Sequence, residues 1–213
     1  MSVILNSQYL KELNEKINLN KMGDNSFEVK FNNKQITFQI APQNNKLASG
    51  AYAFGIKQKT LNNTPSLGVL LDSSFENDIT HLENVRDIIE NELLKATGSV
   101  QKVAPLLSRS YLKDKNGEFV LDENNNKIVD ESKAILNMRL KFSKHKGCLS
   151  IFKNINGNIE FLIVELDYGF KGVYFIDVGN VNKGKNGLWY VNLLLNTCVV
   201  YTQPQADFGN EYL

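Results

Sequence analysis

The chain has little of the chemistry that most metal sites require. It contains two cysteines, Cys148 and Cys198, and two histidines, His81 and His145, and none of them stands at a zinc-ligand spacing such as CxxC. We therefore expect no metal site and two reduced, buried or half-buried thiols. Only 4 of the 213 residues are proline, and no Pro/Gly/Ser-rich linker divides the chain, so a single domain over residues 1–213 is expected.

Long apolar runs and a strong charge of one sign are also missing. No apolar stretch approaches the roughly 18 residues of a membrane helix, and the first residues, MSVILNSQYLKELNEK, do not read as a signal peptide. We expect a protein that is soluble, cytoplasmic in its host cell and without a membrane partner. The formal net charge is +1. That balance argues against a uniformly basic nucleic-acid binder, so any such binding has to come from a local patch.

Sequence signatures of catalysis are absent as well. There is no P-loop or GxGxxG, and neither histidine accompanies a nucleophile-elbow sequence. The segment 122–133, DENNNKIVDESK, begins like a calcium loop, but Lys127 replaces the required glycine and Lys133 the bidentate glutamate. We expect neither an enzyme nor a cofactor.

Hydrophobic residues make up 42% of the chain, enough for a core, and their spacing predicts a mainly β (α+β) fold. Alternating apolar residues at 27–31 and 36–40 predict a hairpin, and further strands are predicted up to residue 201. A short N-terminal helix is predicted within 1–23 and a long packing helix over 77–97, capped by Asn77 or Asp78 and ended by Gly98. A polar insertion with turns at 115–117 and 124–126 occupies residues 111–133, and a tail occupies residues 202–213. No repeat of fixed period is evident. The sum indicates a partly closed antiparallel barrel or a sandwich.

The segment 169–201, GFKGVYFIDVGNVNKGKNGLWYVNLLLNTCVVY, predicts two aromatic strands joined by a mobile basic turn. Single-stranded nucleic acid is held by cations along its phosphates and by aromatic faces under its bases. Candidate phosphate contacts are Lys57, Lys59, Arg139, Lys141, Lys144, Lys146, Lys183 and Lys185, and candidate base platforms are Tyr52, Phe54, Tyr174, Trp189 and Tyr190. Because neighbours on a strand face opposite sides, at most one of Trp189 and Tyr190 can be such a platform.

Together with SGAYAFGIKQKT at 49–60 and PLLSRSYLKDKNG at 105–117, this segment resembles the single-stranded-DNA-binding proteins of phages and large DNA viruses. The resemblance covers residues 27–201. It implies an OB-fold barrel and sequence-independent binding of single-stranded DNA in viral or phage DNA replication or recombination. Such proteins often end in a long acidic tail with a terminal aromatic residue. The tail here holds only Asp207, Phe208, Glu211 and Tyr212, so recruitment of partners through it is left open.

Two alternatives stay open at this point. RNA is not distinguished from DNA, since that depends on contacts with the 2′-OH. The N-terminal helix, the protruding insertion and the near-zero net charge also suit a virion structural or assembly protein, such as a capsid accessory or tail component, that associates with copies of itself.

Overall fold

Twelve β-strands and one long helix make up the described part of the chain. The structure is a computed structural model that describes residues 2–5, 17–44, 46–52, 66–140, 151–155, 158–161 and 170–201. The first six strands are β1 (Ser2–Leu5), β2 (Ile17–Gly23), β3 (Ser26–Phe31), β4 (Gln35–Ile40), β5 (Ala48–Tyr52) and β6 (Ser66–Asp72). Helix α1 (Glu76–Thr97) follows, and then β7 (Leu107–Tyr111), β8 (Val129–Leu140), β9 (Ile151–Ile155), β10 (Asn158–Phe161), β11 (Phe170–Lys183) and β12 (Trp189–Tyr201).

Five of these strands close into a barrel. β11 pairs with β5, β5 with β6, and β6 with β8, all antiparallel. β8 then meets β12 in a short parallel contact, and β12 returns to β11 along nearly its whole length. A five-stranded barrel is the architecture of an OB-fold. The predicted mainly β, OB-like fold is therefore confirmed, and the ring is closed where the sequence indicated a partly closed one.

The predicted hairpin over 27–40 is wrong in its pairing. β3 and β4 both run antiparallel to β11, one after the other along the same edge. They meet only at a tight turn, where Asn32 and Asn33 take φ values of 47° and 60° and Phe31 bridges Lys34. Asparagine tolerates this left-handed backbone, so the turn was readable in the sequence. The turn residues do not show that β3 and β4 both pair with β11, a strand distant in the sequence.

The predicted N-terminal helix is also wrong where the structure describes it. Residues 17–23 form β2, which pairs antiparallel with β3, and residues 2–5 form β1, parallel to β4. The middle of the predicted helix, residues 6–16, lies outside the described residues. Its apolar face was narrow, whereas the edge of β3 offers a full set of main-chain partners. Ile17 is buried there and Leu19 packs against the core.

Helix α1 matches its prediction in extent and in its C-terminal end. Gly98 closes it with φ 70° and an N–H bond to the Leu94 carbonyl. Its start differs: neither Asn77 nor Asp78 caps it, and a 3-10 turn (Ser73–Phe75) precedes it, with the Asp72 carboxylate accepting the Ser74 N–H at 2.8 Å. The buried stripe of the helix, which packs into the main core, comprises Ile79, Leu82, Val85, Ile88, Ile89 and Leu93.

Between β7 and β8 the polar insertion forms a small knob, defined here as residues 112–128. Three main-chain bonds hold it in a ring. The Leu112 N–H donates to Ile128 O at 2.8 Å, the Ile128 N–H to Val120 O at 3.0 Å, and the Val120 N–H to Leu112 O at 3.0 Å. The protrusion and its two turns agree with the sequence analysis, whereas the closed ring was not foreseen.

Gly172 provides a test of barrel closure. It pairs with Ala48 on one edge of β11 and with Val200 on the other, and a Cβ there would lie 2.6 Å from Val199 O. We predict that Gly172→Ala lowers the free energy of unfolding by about 1–3 kcal/mol, because the close backbones must separate. Urea denaturation measures this. Gly23→Ala is the control, since nothing lies within 4 Å of its Cβ position. Equal midpoints for the two variants would contradict the prediction.

Asp78 makes stability depend on pH. It is buried in the first turn of α1, and burial raises its pKa from 3.8 to about 6, against a smaller lowering by the Gln43 amide, whose Nε2 lies 3.3 Å away. The folded state therefore holds this proton more tightly than the unfolded state, and stability falls as the pH rises from about 4 to about 6, by roughly 3 kcal/mol.

We predict that Asp78→Asn removes this fall. The variant should match the wild type near pH 4 and exceed its stability near pH 7, since an amide has no charge to desolvate. Denaturant midpoints measured across this range check the prediction. Parallel profiles for the two proteins would show that Asp78 does not titrate as described.

Candidate nucleic-acid interface

Main-chain hydrogen bonds hold the turn that joins β11 to β12, both within the turn and at its base. The Gly184 N–H donates to Leu188 O at 2.7 Å and the Gly187 N–H to Gly184 O at 3.0 Å. At its base, the Lys183 N–H bonds Asn25 O at 2.9 Å, and the Trp189 N–H bonds Lys102 O at 2.8 Å. The sequence predicted a mobile basic finger. The structure shows a turn whose main chain is bonded internally and to two neighbouring segments.

Tyr190 is the exposed aromatic residue of this region, with 43% of its surface accessible. Its hydroxyl accepts a hydrogen bond from Asn186 Nδ2 at 2.8 Å. Its ring lies against Gly184, where an added Cβ would come within 2.7 Å of Cε2. The turn therefore fixes the ring at one edge while leaving much of it in solvent.

Trp189 and Tyr174 cannot serve as base platforms. Trp189 is 2% exposed, its ring centroid lies 5.6 Å from that of Phe27, and its Nε1–H donates to Gln101 Oε1 at 2.8 Å. Tyr174 is fully buried, with its hydroxyl 3.4 Å from Ala48 O. The prediction that Trp189 and Tyr174 are base platforms is therefore wrong, because both rings are buried in the core. The strand alternation that separates Trp189 from Tyr190 is as expected.

A shallow cleft of about 140 Å³ opens beside Tyr190. Two of its polar lining side chains, Ser108 and Asn137, are hydrogen-bonded to each other at 2.8 Å. The remaining lining residues are Ala104, Pro105, Leu106, Val191 and Leu193. Arg139 follows Asn137 by two positions on β8 and is exposed like it, so both side chains stand on the same outward face of that strand.

The cations of this surface are not neutralised by the described part of the protein. Lys183, Lys185 and Arg139 are all exposed, and none forms an ion pair with a carboxylate among the residues that the structure describes. The Lys183 ammonium lies 5.8 Å from the Trp189 ring centroid. The tip surface, as we call it, comprises Lys183, Lys185, Asn186 and Tyr190. It combines a fixed exposed ring with two cations that form no ion pair within the described residues, and Arg139 lies further along the sheet, opposite Leu194.

The other predicted site residues are not placed. Phe54, Lys57, Lys59, Lys141, Lys144 and Lys146 lie outside the described residues. So does Cys148, whereas Cys198 is buried. Tyr52 ends β5, and only its backbone is described. Of the predicted phosphate contacts, the described residues therefore place Arg139 on β8 and Lys183 and Lys185 at the turn between β11 and β12.

Sequence reasoning missed the residues that hold the ring. Asn186 stands four positions before Tyr190 and Gly184 six before it. In this turn, the sequence analysis considered only the lysines. An asparagine opposite an aromatic residue across a short turn was the available signal. The cleft was not predictable, because it brings β7, β8 and β12 together.

Neither a cluster of metal ligands nor a membrane-spanning helix is found in the part of the chain that the structure describes. There, no three His, Cys, Asp or Glu side chains cluster as a metal site would need. The Asp122 carboxylate, the first position of the calcium-loop resemblance, accepts the N–H groups of Asn124 and Asn126, each at 2.8 Å. None of the described helices has the length and apolar character needed to cross a membrane.

The chain is similar in structure to two phage proteins. One is gp2.5, a single-stranded DNA binding protein encoded by bacteriophage T7, with 8% identity and a TM-score of 0.45 over 83% of this chain and 91% of that one. The other is the single-stranded DNA-binding protein of bacteriophage Enc34 in complex with ssDNA, with 15% identity and a TM-score of 0.39 over 92% and 99%. No family model matches the sequence, and no curated protein matches it.

Proposed function

We propose that this protein binds single-stranded DNA without sequence preference, acts without catalysis, and serves phage or viral DNA replication or recombination. The observation that supports it is the tip surface: Tyr190, half exposed and fixed by Asn186 and Gly184, beside Lys183 and Lys185. A base can stack on the ring while the lysines contact the phosphates on either side of it.

The chemistry of this surface explains the lack of sequence preference. Every base has an aromatic face, so stacking on Tyr190 accepts all four, and cations read only the backbone. A ring that is already held also loses little freedom when a base docks on it. In the cleft, Asn137 and Ser108 hydrogen-bond each other, so fewer of their polar atoms are free to contact a base. Arg139 adds a further exposed cation on β8.

Removing the turn lysines should weaken the salt dependence of binding. Each phosphate contact releases counterions, at about 0.7 per neutralised charge on a single strand. We predict that Lys183→Gln/Lys185→Gln lowers affinity for labelled oligo-dT and reduces the slope of log K against log salt by about one to two.

Fluorescence anisotropy across a salt series measures that slope. Lys95→Gln is the matched control: Lys95 sits on helix α1 and pairs with Glu92 at 2.6 Å, so it should leave the slope unchanged. Failure of the wild type to bind at micromolar protein in about 50 mM salt would reject the proposed function, because electrostatic binding is strongest at low salt.

Tyr190 tests the stacking component separately. We predict that Tyr190→Ala weakens oligo-dT binding by about 1–3 kcal/mol, the usual contribution of one stacked base. Tyr190→Phe keeps the ring and loses only the bond to Asn186, so it should retain most of the affinity. The same anisotropy titration, run at one salt concentration, compares them. If the alanine variant binds like the wild type, Tyr190 is not a platform.

A further inference from the structure

The knob carries a second aromatic surface that the proposed function does not use. Tyr111, just before the knob, is 46% exposed and Phe119 within it is 43% exposed. Their ring centroids lie 6.1 Å apart at an angle of 88°. Lys127 places its ammonium 3.8 Å from the Phe119 centroid and 5.5 Å from that of Tyr111, and Lys113 lies 5.1 Å from Phe119.

This convergence follows from a local repeat of eight residues within the knob and its flanks. Leu112, Val120 and Ile128 occupy equivalent positions and form the ring of main-chain bonds. Asp114, Asp122 and Asp130 are likewise equivalent, and each carboxylate accepts the main-chain N–H two residues ahead of it, with distances of 2.8, 2.8 and 3.1 Å.

The backbone pairings repeat in the same way. Lys113 opposes Phe119, Leu121 opposes Lys127, and Val129 opposes Tyr111. Tyr111, Phe119 and Lys127 therefore stand at one equivalent position of the three-part ring, and their side chains meet. Main-chain bonds and the Asp carboxylates hold the ring, so the exposed faces of the aromatic pair are not needed to stabilise it and are available for a ligand.

From this geometry we infer that the Tyr111–Phe119 surface of the knob is a second contact for single-stranded nucleic acid. An unpaired base stacks on the exposed Phe119 ring, and Lys127 and Lys113 turn from that ring toward the adjacent phosphates. The inference rests on the proposed function, since it extends the bound strand beyond the tip surface.

The charges around the two rings favour single-stranded nucleic acid as the ligand. Neither Lys113 nor Lys127 forms an ion pair within the described residues, and both ammonium groups already lie over aromatic faces. The knob as a whole has four carboxylates and three lysines. Asp114 and Asp122 each accept two main-chain N–H groups within their turns, so part of their charge is offset locally. Phosphate attraction is therefore confined to the aromatic side.

The two surfaces are near enough for one strand to contact both. Ser108, which lines the cleft beside Tyr190, stands three residues before Tyr111 on β7. Three extended residues span about 10 Å. A strand bound at the tip surface therefore needs few further nucleotides to reach the knob.

The test compares Phe119→Ala with Leu121→Ala in the full chain. Leu121 belongs to the same knob and is 48% exposed, but it has no ring on which a base can stack. Binding to fluorescein-labelled dT of about 30 nucleotides, longer than the roughly 4–16 nucleotides that one OB-fold covers, should weaken about fivefold or more for Phe119→Ala. Leu121→Ala should match the wild type. Phe119→Tyr, which keeps the ring, should also bind like the wild type, and thermal unfolding confirms that each variant is folded.

Each remaining outcome decides the inference. Wild-type affinity for folded Phe119→Ala, with Tyr190→Ala still impaired, overturns the knob contact and leaves the proposed function standing. Equal weakening by Phe119→Ala and Leu121→Ala, or a change of oligomeric state in sedimentation, overturns it in favour of an apolar protein-docking surface. A wild type that binds no DNA at low salt removes both proposals together.

Discussion

The pairing of β11 with β12 is the interaction on which the rest of the structure depends. It runs from Lys171 opposite Tyr201 to Lys183 opposite Trp189. The same β11 supplies its other edge to β3, β4 and β5 in turn. Closure of the barrel, attachment of the N-terminal strands and position of the tip surface are therefore all set by one long antiparallel pair.

A buried polar group fixes the register of that pair. Asp177 on β11 is 3% exposed and accepts hydrogen bonds from Thr37 Oγ1 at 2.7 Å and from Asn196 Nδ2 at 3.0 Å. These partners lie on β4 and β12, so three strands meet at one carboxylate. A shift of either neighbour by one residue would take one of these two donors away from a buried carboxyl group, which costs more than the loss of a surface contact. We infer that this group selects one register among those that apolar alternation alone would allow.

The sequence predicted those features that depend on interactions between residues close to each other in the chain. Helix α1 and its glycine end, the turns at Asn32 and Asn125, and the opposite orientations of Trp189 and Tyr190 follow from spacing within a few residues. What failed depends on distant partners: β3 and β4 are joined by a hairpin turn yet pair with β11, and β2 is a strand because β3 presents an edge to it. In the candidate site, the exposure of the turn lysines and of Tyr190 is consistent with the sequence-based proposal. The burial of Tyr174 was not predictable, since an apolar strand does not show which of its aromatic residues face inward.

The near-neutral charge of the chain is compatible with nucleic-acid binding once it is considered surface by surface. Among the described residues, several lysines and arginines are matched locally, as in Arg109 with Glu83 at 2.8 Å and Lys30 with Glu28 at 2.7 Å. The cations of the tip surface have no such partners there. Counterion release depends on phosphates neutralised at the contact and not on the charge of the whole molecule, so a net charge of +1 does not limit affinity. It limits long-range steering instead. Under the proposed function, the fixed ring and its few neighbouring cations would govern association with DNA, and the arrangement of the turn around Tyr190 would be the main determinant of how tightly a strand is held.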